Sequence, residues 1–198
     1  MDNNKEYIEI FFKEIVGVSN EKLISALTEI STIQSYPAKT IILHQGEKQE
    51  NLPFQASEGI IRGYLTRADG KVFTDCFNII VGFPLAPPTG LHGASPITIC
   101  TETDLTAICV PISSLLKLAP RFLEVEKITL RFMAQSMRMH WDHKRVLINN
   151  DAYHRYKWFL KTYPGLIDQV SHHYIAEFLN MTPETLSRMR RRQKMENK

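Results

Sequence analysis

Several protein classes are excluded by what this 198-residue sequence lacks. Its three cysteines, Cys76, Cys100 and Cys109, include no C-x-x-C pair, which argues against a disulfide framework, a zinc ribbon and an iron–sulfur site. No apolar run approaches the ~18–20 residues of a membrane-spanning helix, and no basic segment opens the N-terminus as in a signal peptide. We therefore expect a cytoplasmic protein with no membrane partner, whose cysteines are buried free thiols.

The sequence also lacks the clustered ligands of a metalloenzyme. His44 and His92 are the candidate histidines of the strand-rich region, and no H-x-H spacing is present there. His140 and His143 are three residues apart on a predicted helix, but a metal site needs more ligands, and helix-surface histidines explain the pair. We expect no catalytic residues, no metal and no cofactor.

Basic charge is concentrated in the last quarter of the sequence. Residues 151–198 contain nine Lys and Arg against five Asp and Glu, whereas residues 1–150 contain fifteen against sixteen. Residues 188–194 (RMRRRQK) hold five basic side chains in seven positions. Such clustering suits a polyanion, most often nucleic acid, although a solvated basic tail has the same composition.

Helical, strand-rich and helical segments follow one another along the chain. Apolar residues at three- and four-residue spacing predict a helix up to Gly17 and a second one that Ser19 caps and Ser35–Pro37 ends. Between residues 39 and 111, short β-rich runs alternate with turn signals, among which Asp69-Gly70 is a strong hairpin signal. Many short strands without helices between them indicate a sandwich or a small roll.

One long helix is predicted from about Phe122 to Asn149, on the order of 40 Å in length. Its apolar seam alternates spacings of three and four, as in a coiled coil. The seam consists of Val125, Ile128, Phe132, Gln135, Met139, Asp142 and Val146. A helix of this length in so small a protein rarely packs only on its own chain, so we expect a homodimer through residues 122–148; a scaffold helix packed on the roll is the alternative.

The last thirty residues have the spacing of a helix–turn–helix motif. Ser171 caps a helix, a four-residue joint follows at Asn180–Pro183, and Thr182 caps a last helix with Pro183 at its first position. Asn180 occupies a turn position that needs left-handed backbone angles, which asparagine tolerates. The small core is expected to contain Ile175, Leu179 and Leu186.

The last helix presents polar and basic side chains near its N-terminus, the part of a recognition helix that enters the major groove. Arg188 can bind guanine O6 and N7, Glu184 can accept from a cytosine amino group, and their spacing allows them to pair. The basic residues that follow are expected to lie near phosphates. The predicted DNA contacts are Thr182, Glu184, Thr185, Ser187, Arg188, Arg190, Arg191 and Arg192. An ordinary three-helix cap with a solvated Glu–Arg pair is the alternative.

These segments resemble those of Crp/Fnr-type bacterial transcription regulators, in particular the short forms common in Bacteroidetes. Residues 175–188 (IAEFLNMTPETLSR) are close to the family pattern I-A-x-x-L-G-x-T-P-E-T-L-S-R. Residues 152–160 (AYHRYKWFL) are similar to A-x-E-R-Y-x-x-F-L, with His154 in place of the glutamate. Residues 59–70 (GIIRGYLTRADG) look like the strand–hairpin pattern G-x-x-R-x-Y-x-x-x-x-D-G.

The resemblance implies an α+β fold with three parts. Residues 1–121 are expected to form a cyclic-nucleotide-binding-like β-roll of the jelly-roll type flanked by helices, residues 122–150 a long dimerisation helix, and residues 151–198 a helix-turn-helix DNA-binding domain. The family positions that read base edges of double-stranded DNA fall on Glu184, Ser187 and Arg188. The sequence stops soon after the recognition helix, so we expect the usual β-hairpin wing to be reduced or absent.

The resemblance also implies an effector pocket, but the phosphate-binding segment of this chain is degenerate. The family holds a cyclic phosphate with a Gly-Glu pair and a later arginine. Residues 82–97 contain no acidic residue, no arginine and no lysine, and only Gly82 and Ser95 match family positions. Because a buried phosphate without a cation is costly to desolvate, we expect weak or no binding of cyclic AMP; an unidentified effector would be small and apolar or uncharged.

Two functions remain open from the sequence. The first is a homodimeric regulator of transcription, not an enzyme, that binds double-stranded DNA specifically and responds to an unidentified small molecule. The second is a small-molecule-binding sensor module whose helical C-terminus makes protein contacts, without sequence-specific DNA binding.

Overall fold

The computed structural model describes residues 3–86 and 93–196, and it opens with a helical segment. Helix α1 spans Asn3–Ile10, a π-helical stretch covers Phe11–Val16, and α2 spans Glu21–Ile30. The predicted cap of α2 is wrong by one residue. The side chain of Asn20, not Ser19, accepts hydrogen bonds from the first turn of the helix, because the Ser19 hydroxyl donates to Glu124 instead.

Seven strands of the described residues form two antiparallel sheets that share one apolar interior. The strands are β1 (Thr32–Tyr36), β2 (Ile41–Leu43), β3 (Asn51–Gln55), β4 (Ile61–Thr66), β5 (Val72–Asn78), β6 (Thr98–Thr101) and β7 (Leu105–Pro111). One sheet has the order β1–β7–β3 and the other β2–β6–β4–β5. Side chains from both sheets meet in one buried cluster of Leu43, Ile61, Leu85, Ile97, Ile99, Leu105, Ala107 and Cys109. The predicted small β-roll is therefore confirmed.

Two strands differ from the sequence-based expectation. Ser35 and Tyr36 do not end the second helix; they belong to β1, which pairs with β7. Strand β3, which was not predicted, pairs with the other side of β7. The hairpin at Asp69-Gly70 is confirmed: β4 pairs with β5 up to Thr66 opposite Val72, and Gly70 has the positive φ of 78° that such a turn requires.

The long helix follows the roll and has two apolar faces. Helix α3 (Ile112–Leu118) and a 3₁₀ turn at Ala119–Arg121 lead into α4 (Leu123–Asn149). The predicted seam was expected to contact a second copy, but its first three apolar residues pack into this chain's own core, against α1, α2 and β3. These residues are Val125, Ile128 and Phe132. Val146, near the other end of the seam, is also buried, so the alternative of a scaffold helix holds for this face.

The opposite face of α4 is apolar and exposed. We call this face the α4 stripe; its members are Leu130, Met133, Met137, Trp141 and Ile148, each between 50% and 71% exposed. They repeat at spacings of three, four, four and seven, and one turn of helix takes 3.6 residues, so they lie about half a turn away from the buried seam. The sequence contains both faces, and only the fold distinguishes them.

The C-terminal unit, residues 152–196, is entirely helical. It contains α5 (Ala152–Thr162), a 3₁₀ turn at Leu166–Asp168, α6 (His172–Phe178) and α7 (Pro183–Glu196). Ile175, Leu179 and Leu186 are buried in its core, as predicted, and Phe77 of β5 belongs to the same cluster. No β-strand occurs in residues 152–196, so this part of the chain has no β-hairpin wing.

The cysteines, the possibility of a membrane-spanning helix and the possibility of a metal site can be examined in the described residues. Cys76, Cys100 and Cys109 are free thiols, the last two buried and the first half-buried. Within residues 3–86 and 93–196, no helix is long and apolar enough to cross a bilayer, and no group of three or more His, Cys, Asp and Glu side chains is placed to hold a metal ion. His92 lies outside the described residues.

Candidate nucleic-acid interface

The helix–turn–helix motif is fixed at its ends by local hydrogen bonds. The Ser171 side chain accepts from the backbone N–H of His173 at 3.3 Å, which caps α6. The Thr182 hydroxyl accepts from the backbone N–H of Thr185 at 3.2 Å, which caps α7. Both predicted caps are confirmed, and each satisfies one N–H that a helix start leaves unpaired.

The turn between α6 and α7 has the predicted left-handed residue and an unpredicted clamp. Asn180 has φ of 48°, and it lies directly between the two helices. The Arg155 guanidinium, from α5, donates to the carbonyl oxygens of Leu179 and Asn180 at 2.9 and 3.0 Å. The sequence predicts no role for Arg155; the available signal is its match to the arginine of the A-x-E-R-Y pattern. This contact holds the turn and so fixes the angle between α6 and α7.

Helix α7 buries one face and exposes the other. Leu186 is fully buried and Met189 packs beside it, which anchors the helix to the C-terminal unit. Six of the eight predicted DNA contacts are exposed: Thr182, Glu184, Ser187, Arg188, Arg191 and Arg192. The other two, Thr185 and Arg190, are half-buried. The exposed N-terminal part of α7 therefore presents a carboxylate, hydroxyls and a guanidinium together.

Glu184 and Arg188 are not paired with each other, contrary to the expectation. Arg188 Nη2 donates to Thr185 Oγ1 at 3.1 Å. Hydrogen bonds from its own backbone N–H and from the Thr182 hydroxyl lower the pKa of the Glu184 carboxyl below its ordinary value. The Arg188 guanidinium and the Glu184 carboxylate therefore each have a local partner, and the carboxylate stays charged at neutral pH.

Two of the arginines on α7 make contacts within the C-terminal unit. Arg190 Nη1 lies 2.6 Å from His172 Nε2. The Arg192 guanidinium stacks 3.8 Å above the centroid of the Tyr153 ring, and its Nε donates to Glu196 at 3.0 Å. These two residues tie α7 to α5 and α6, whereas Arg188 and Arg191 extend from the open face of the helix.

Solved structures with the same architecture match nearly the whole chain. FixK2 from Bradyrhizobium japonicum aligns with a TM-score of 0.74 and 22% identity over 85% of this chain and 86% of its own. CLP, a c-di-GMP-responsive global regulator from Xanthomonas campestris, aligns with a TM-score of 0.68 and 15% identity, and the alignment covers 90% of this chain and 93% of CLP. A protein from Eubacterium rectale described as a transcriptional regulator of the crp/fnr family aligns with a TM-score of 0.70 and 16% identity. That alignment covers 96% of this chain and 88% of the other protein.

The chain has the Crp/Fnr fold. No protein-family model and no curated protein matches the sequence, so the fold is established by the shared arrangement of roll, long helix and helix–turn–helix unit. The β-roll and the helix–turn–helix motif, which the sequence resemblance implied, are both present in it.

Gly82 and Ser95, the two residues of residues 82–97 that match family positions, shape the backbone of this Crp/Fnr fold. Gly82 has φ of 87°, and a Cβ there would approach Ile15 Cγ2 to 2.8 Å, so a larger residue at this position would be strained. The buried Ser95 hydroxyl donates to the Ile97 carbonyl at 2.6 Å. Neither residue lines the cavity that lies between the roll, α4 and the C-terminal unit.

That cavity is small and has no arginine or lysine among its described lining residues. Its volume is about 70 Å³, and its walls include Ile61 of the roll, Met139 of α4 and Phe178 of α6. The ionisable side chains that line it are Asp75, Cys76, His140, His143 and Tyr163. Because this volume is below the ~300–1,000 Å³ of ordinary ligand pockets, the space suits only a very small molecule without a phosphate group.

Proposed function

We propose that this chain is a homodimeric regulator of transcription that binds double-stranded DNA sequence-specifically, in the cytoplasm where that DNA lies. The observation that supports this most directly is the exposed N-terminal part of α7. Glu184, Ser187 and Arg188 project there from a helix that Leu186 anchors on its other side. A rigid helix with such a tip fits the major groove, where hydrogen-bonding side chains distinguish the four base pairs.

The proposed contacts divide into two kinds. Arg188 binds a guanine edge, and Glu184 accepts from a cytosine amino group on a neighbouring pair. Thr182, Thr185, Ser187 and Arg191 contact the adjoining backbone and base edges, where they position the helix. Arg190 and Arg192 retain their bonds to His172 and Glu196 and add positive charge near the phosphates.

The α4 stripe supports the dimer. Five large apolar side chains at helical spacing are exposed along 19 residues of α4, from Leu130 to Ile148. An isolated stripe of this kind is costly in water, and a second copy of the same helix covers it symmetrically. We propose this face, within residues 122–148, as the dimer contact, and the buried seam as the contact with the roll.

Selection of binding sites from random duplex DNA tests the proposal. Two recognition helices related by a two-fold axis should enrich an inverted repeat whose half-sites are centred roughly 34 Å apart, one turn of B-DNA. A guanine and a cytosine should be fixed in each half-site. Enrichment of no sequence above the starting pool contradicts the proposal.

The cavity between the roll, α4 and the C-terminal unit supports a second candidate, a small-molecule sensor that acts through protein contacts. If that function is the correct one, small uncharged compounds raise the melting temperature while the selection experiment enriches no DNA sequence. If small compounds raise the melting temperature and the selection also enriches a DNA sequence, the cavity is the effector site of the DNA-binding protein.

A further inference from the structure

A second, larger cavity is a groove on the flank of α4. It has a volume of about 550 Å³, which is within the ~300–1,000 Å³ range of ligand pockets. Its walls come from the three parts of the chain: Ile79 and Ile80 after strand β5, the middle of α4, and Thr162 and Tyr163 at the end of α5. We call it the α4 groove; it is separate from the exposed apolar stripe of the same helix.

Two arginines line the α4 groove along α4. Arg131 and Arg138 are seven residues apart, which places them on one face, two turns or roughly 10 Å from each other. Gln135 lies between them and also lines the groove. The groove therefore has hydrogen-bond donors along the α4 wall, with two cations, and the Asp142 carboxylate lines it one turn beyond Arg138.

Arg138 has no protein partner within residues 3–86 and 93–196. The carboxylate best spaced to pair with it is Asp142, one turn further along α4. That carboxylate instead accepts from Arg145 Nη2 at 2.9 Å. Since Asp142 is paired with Arg145, the Arg138 guanidinium keeps its donors available for an anion.

Arg131 is held in place by contacts that do not neutralise its charge. Its Nη2 donates to the carbonyl of Val16, and its guanidinium lies 5.0 Å from the centroid of the Phe132 ring. A carbonyl and an aromatic ring orient the guanidinium but carry no negative charge. Arg131 is therefore a fixed cation at one end of the groove, which lowers the entropic cost of binding an anion there.

Apart from Thr162 and Asp142, whose charge is offset by Arg145, the rest of the groove is apolar. Ile79, Ile80, Ala134, Met139 and Tyr163 line it, and these side chains suit a hydrocarbon or aromatic body better than a hydrated ion. We propose that the α4 groove binds an organic acid with an apolar body and two anionic groups, one at Arg131 and one at Arg138. Because the walls come from the roll, α4 and α5, such a ligand stabilises their mutual arrangement; this inference does not depend on DNA binding.

Calorimetric titration with naphthalene-2,6-dicarboxylate at millimolar concentration tests the proposal. The full-length protein should bind it, and should bind naphthalene-2-carboxylate and inorganic pyrophosphate more weakly, since one lacks the second charge and the other the apolar body. Arg131→Gln and Arg138→Gln should each weaken binding of the dicarboxylate about tenfold or more. Lys127→Gln, which removes one charge from α4 outside the groove, is the matched control and should leave the affinity unchanged.

Three outcomes would overturn the proposal. The first is absence of binding of the dicarboxylate to the unaltered protein. The second is binding that both arginine variants retain in full while their melting curves show that they fold normally. The third is a changed oligomeric state in Arg138→Gln with unchanged affinity for the dicarboxylate, because Arg138 would then serve a contact between copies of the chain.

Discussion

The Arg62 guanidinium lies 3.7 Å from the centroid of the Tyr174 ring, so strand β4 and helix α6 meet through a cation on an aromatic face. Its other aromatic neighbour, Tyr64, is 4.3 Å away, and Arg62 Nε donates to Glu102 Oε1 at 2.7 Å. Nearby, the Thr74 hydroxyl donates to Glu177 of α6 at 3.0 Å. These contacts connect the β-roll to the first helix of the helix–turn–helix motif.

Glu102→Gln should destabilise the protein strongly. The Glu102 side chain is 0% exposed and that of Arg62 only 7%, so the neutral amide would leave a buried guanidinium without its counter-charge. Loss of one partner of such a pair costs about 3–5 kcal/mol. Urea denaturation measures the difference, with Glu58→Gln at an exposed position as the control; a decrease below about 1 kcal/mol would contradict this account of the buried Arg62–Glu102 pair.

His143 should make stability fall as the solution becomes acidic. Its Nε2 lies 2.8 Å from the Phe178 carbonyl oxygen, and its ring stacks on the Phe178 ring at 3.9 Å. Burial lowers the pKa of His143 below its ordinary value of 6.5, although the Phe178 carbonyl and Asp75 act in the opposite direction. Below pH 6.5 the unfolded chain therefore takes up this proton first, and folding loses stability as pH falls further.

Melting temperatures between roughly pH 7.5 and pH 5.5 measure this effect. His143→Gln removes the titrating ring, so its melting temperature should fall less over this interval than that of the unaltered protein. His44→Gln, at an exposed position in the roll, should give the same decrease as the unaltered protein. Equal slopes for all three proteins would show that His143 does not couple α4 to α6 through its protonation state.

Met137→Glu should weaken the dimer that we propose. Met137 is 60% exposed at the centre of the α4 stripe, and a carboxylate there would be desolvated against the same residue of the second copy. We expect the dimer dissociation constant to rise tenfold or more, about 1.4 kcal/mol, in sedimentation equilibrium. Leu116→Glu replaces an exposed leucine of α3 with the same charge and should leave the constant unchanged. An unaffected dimer in Met137→Glu would exclude the stripe as the interface.

Cyclic AMP carries one negative charge and a polar ribose, so it matches neither the small cavity nor the dianion site proposed in the α4 groove, and it should not stabilise the protein. The cavity between the roll, α4 and the C-terminal unit has no arginine or lysine among its described lining residues, so the cyclic phosphate would lose its hydration without gaining a counter-charge. Thermal melting with millimolar cyclic AMP should match melting without it. A saturable rise in melting temperature would show that another part of the chain supplies the missing cation.

The sequence predicts the elements whose signals are local. Gly70 at the hairpin and Asn180 at the helix–turn–helix joint adopt positive φ values, as the residue types at these turns suggest. Strand β3 was not predicted because it contains Pro53, and proline disfavours a strand assignment. In the fold β3 is an edge strand next to β7, where proline is tolerated.

Tertiary contacts determine which face of a helix is buried and which partners its charged side chains find, and the sequence leaves both open. Helix α4 has apolar residues at helical spacing on two opposite faces, and spacing alone does not tell which face packs on the roll. The same holds for α7, in which Glu184 and Arg188 are spaced to pair but find partners in Thr182 and Thr185. Threonine hydroxyls two and three residues away bind these two charged side chains, and the spacing of Glu184 and Arg188 does not predict that competition.

The affinity of Arg188→Ala for selected and unrelated DNA tests the central claim most directly. If Arg188 reads a guanine, the ratio of the affinity for selected DNA to that for unrelated DNA should fall roughly five- to 150-fold, which corresponds to about 1–3 kcal/mol of binding free energy. Binding to unrelated DNA should change less. Arg67→Ala, at an exposed position in the roll, should keep the full ratio. A ratio that Arg188→Ala leaves unchanged, measured at the same salt concentration, would contradict the assignment of α7 as the recognition helix.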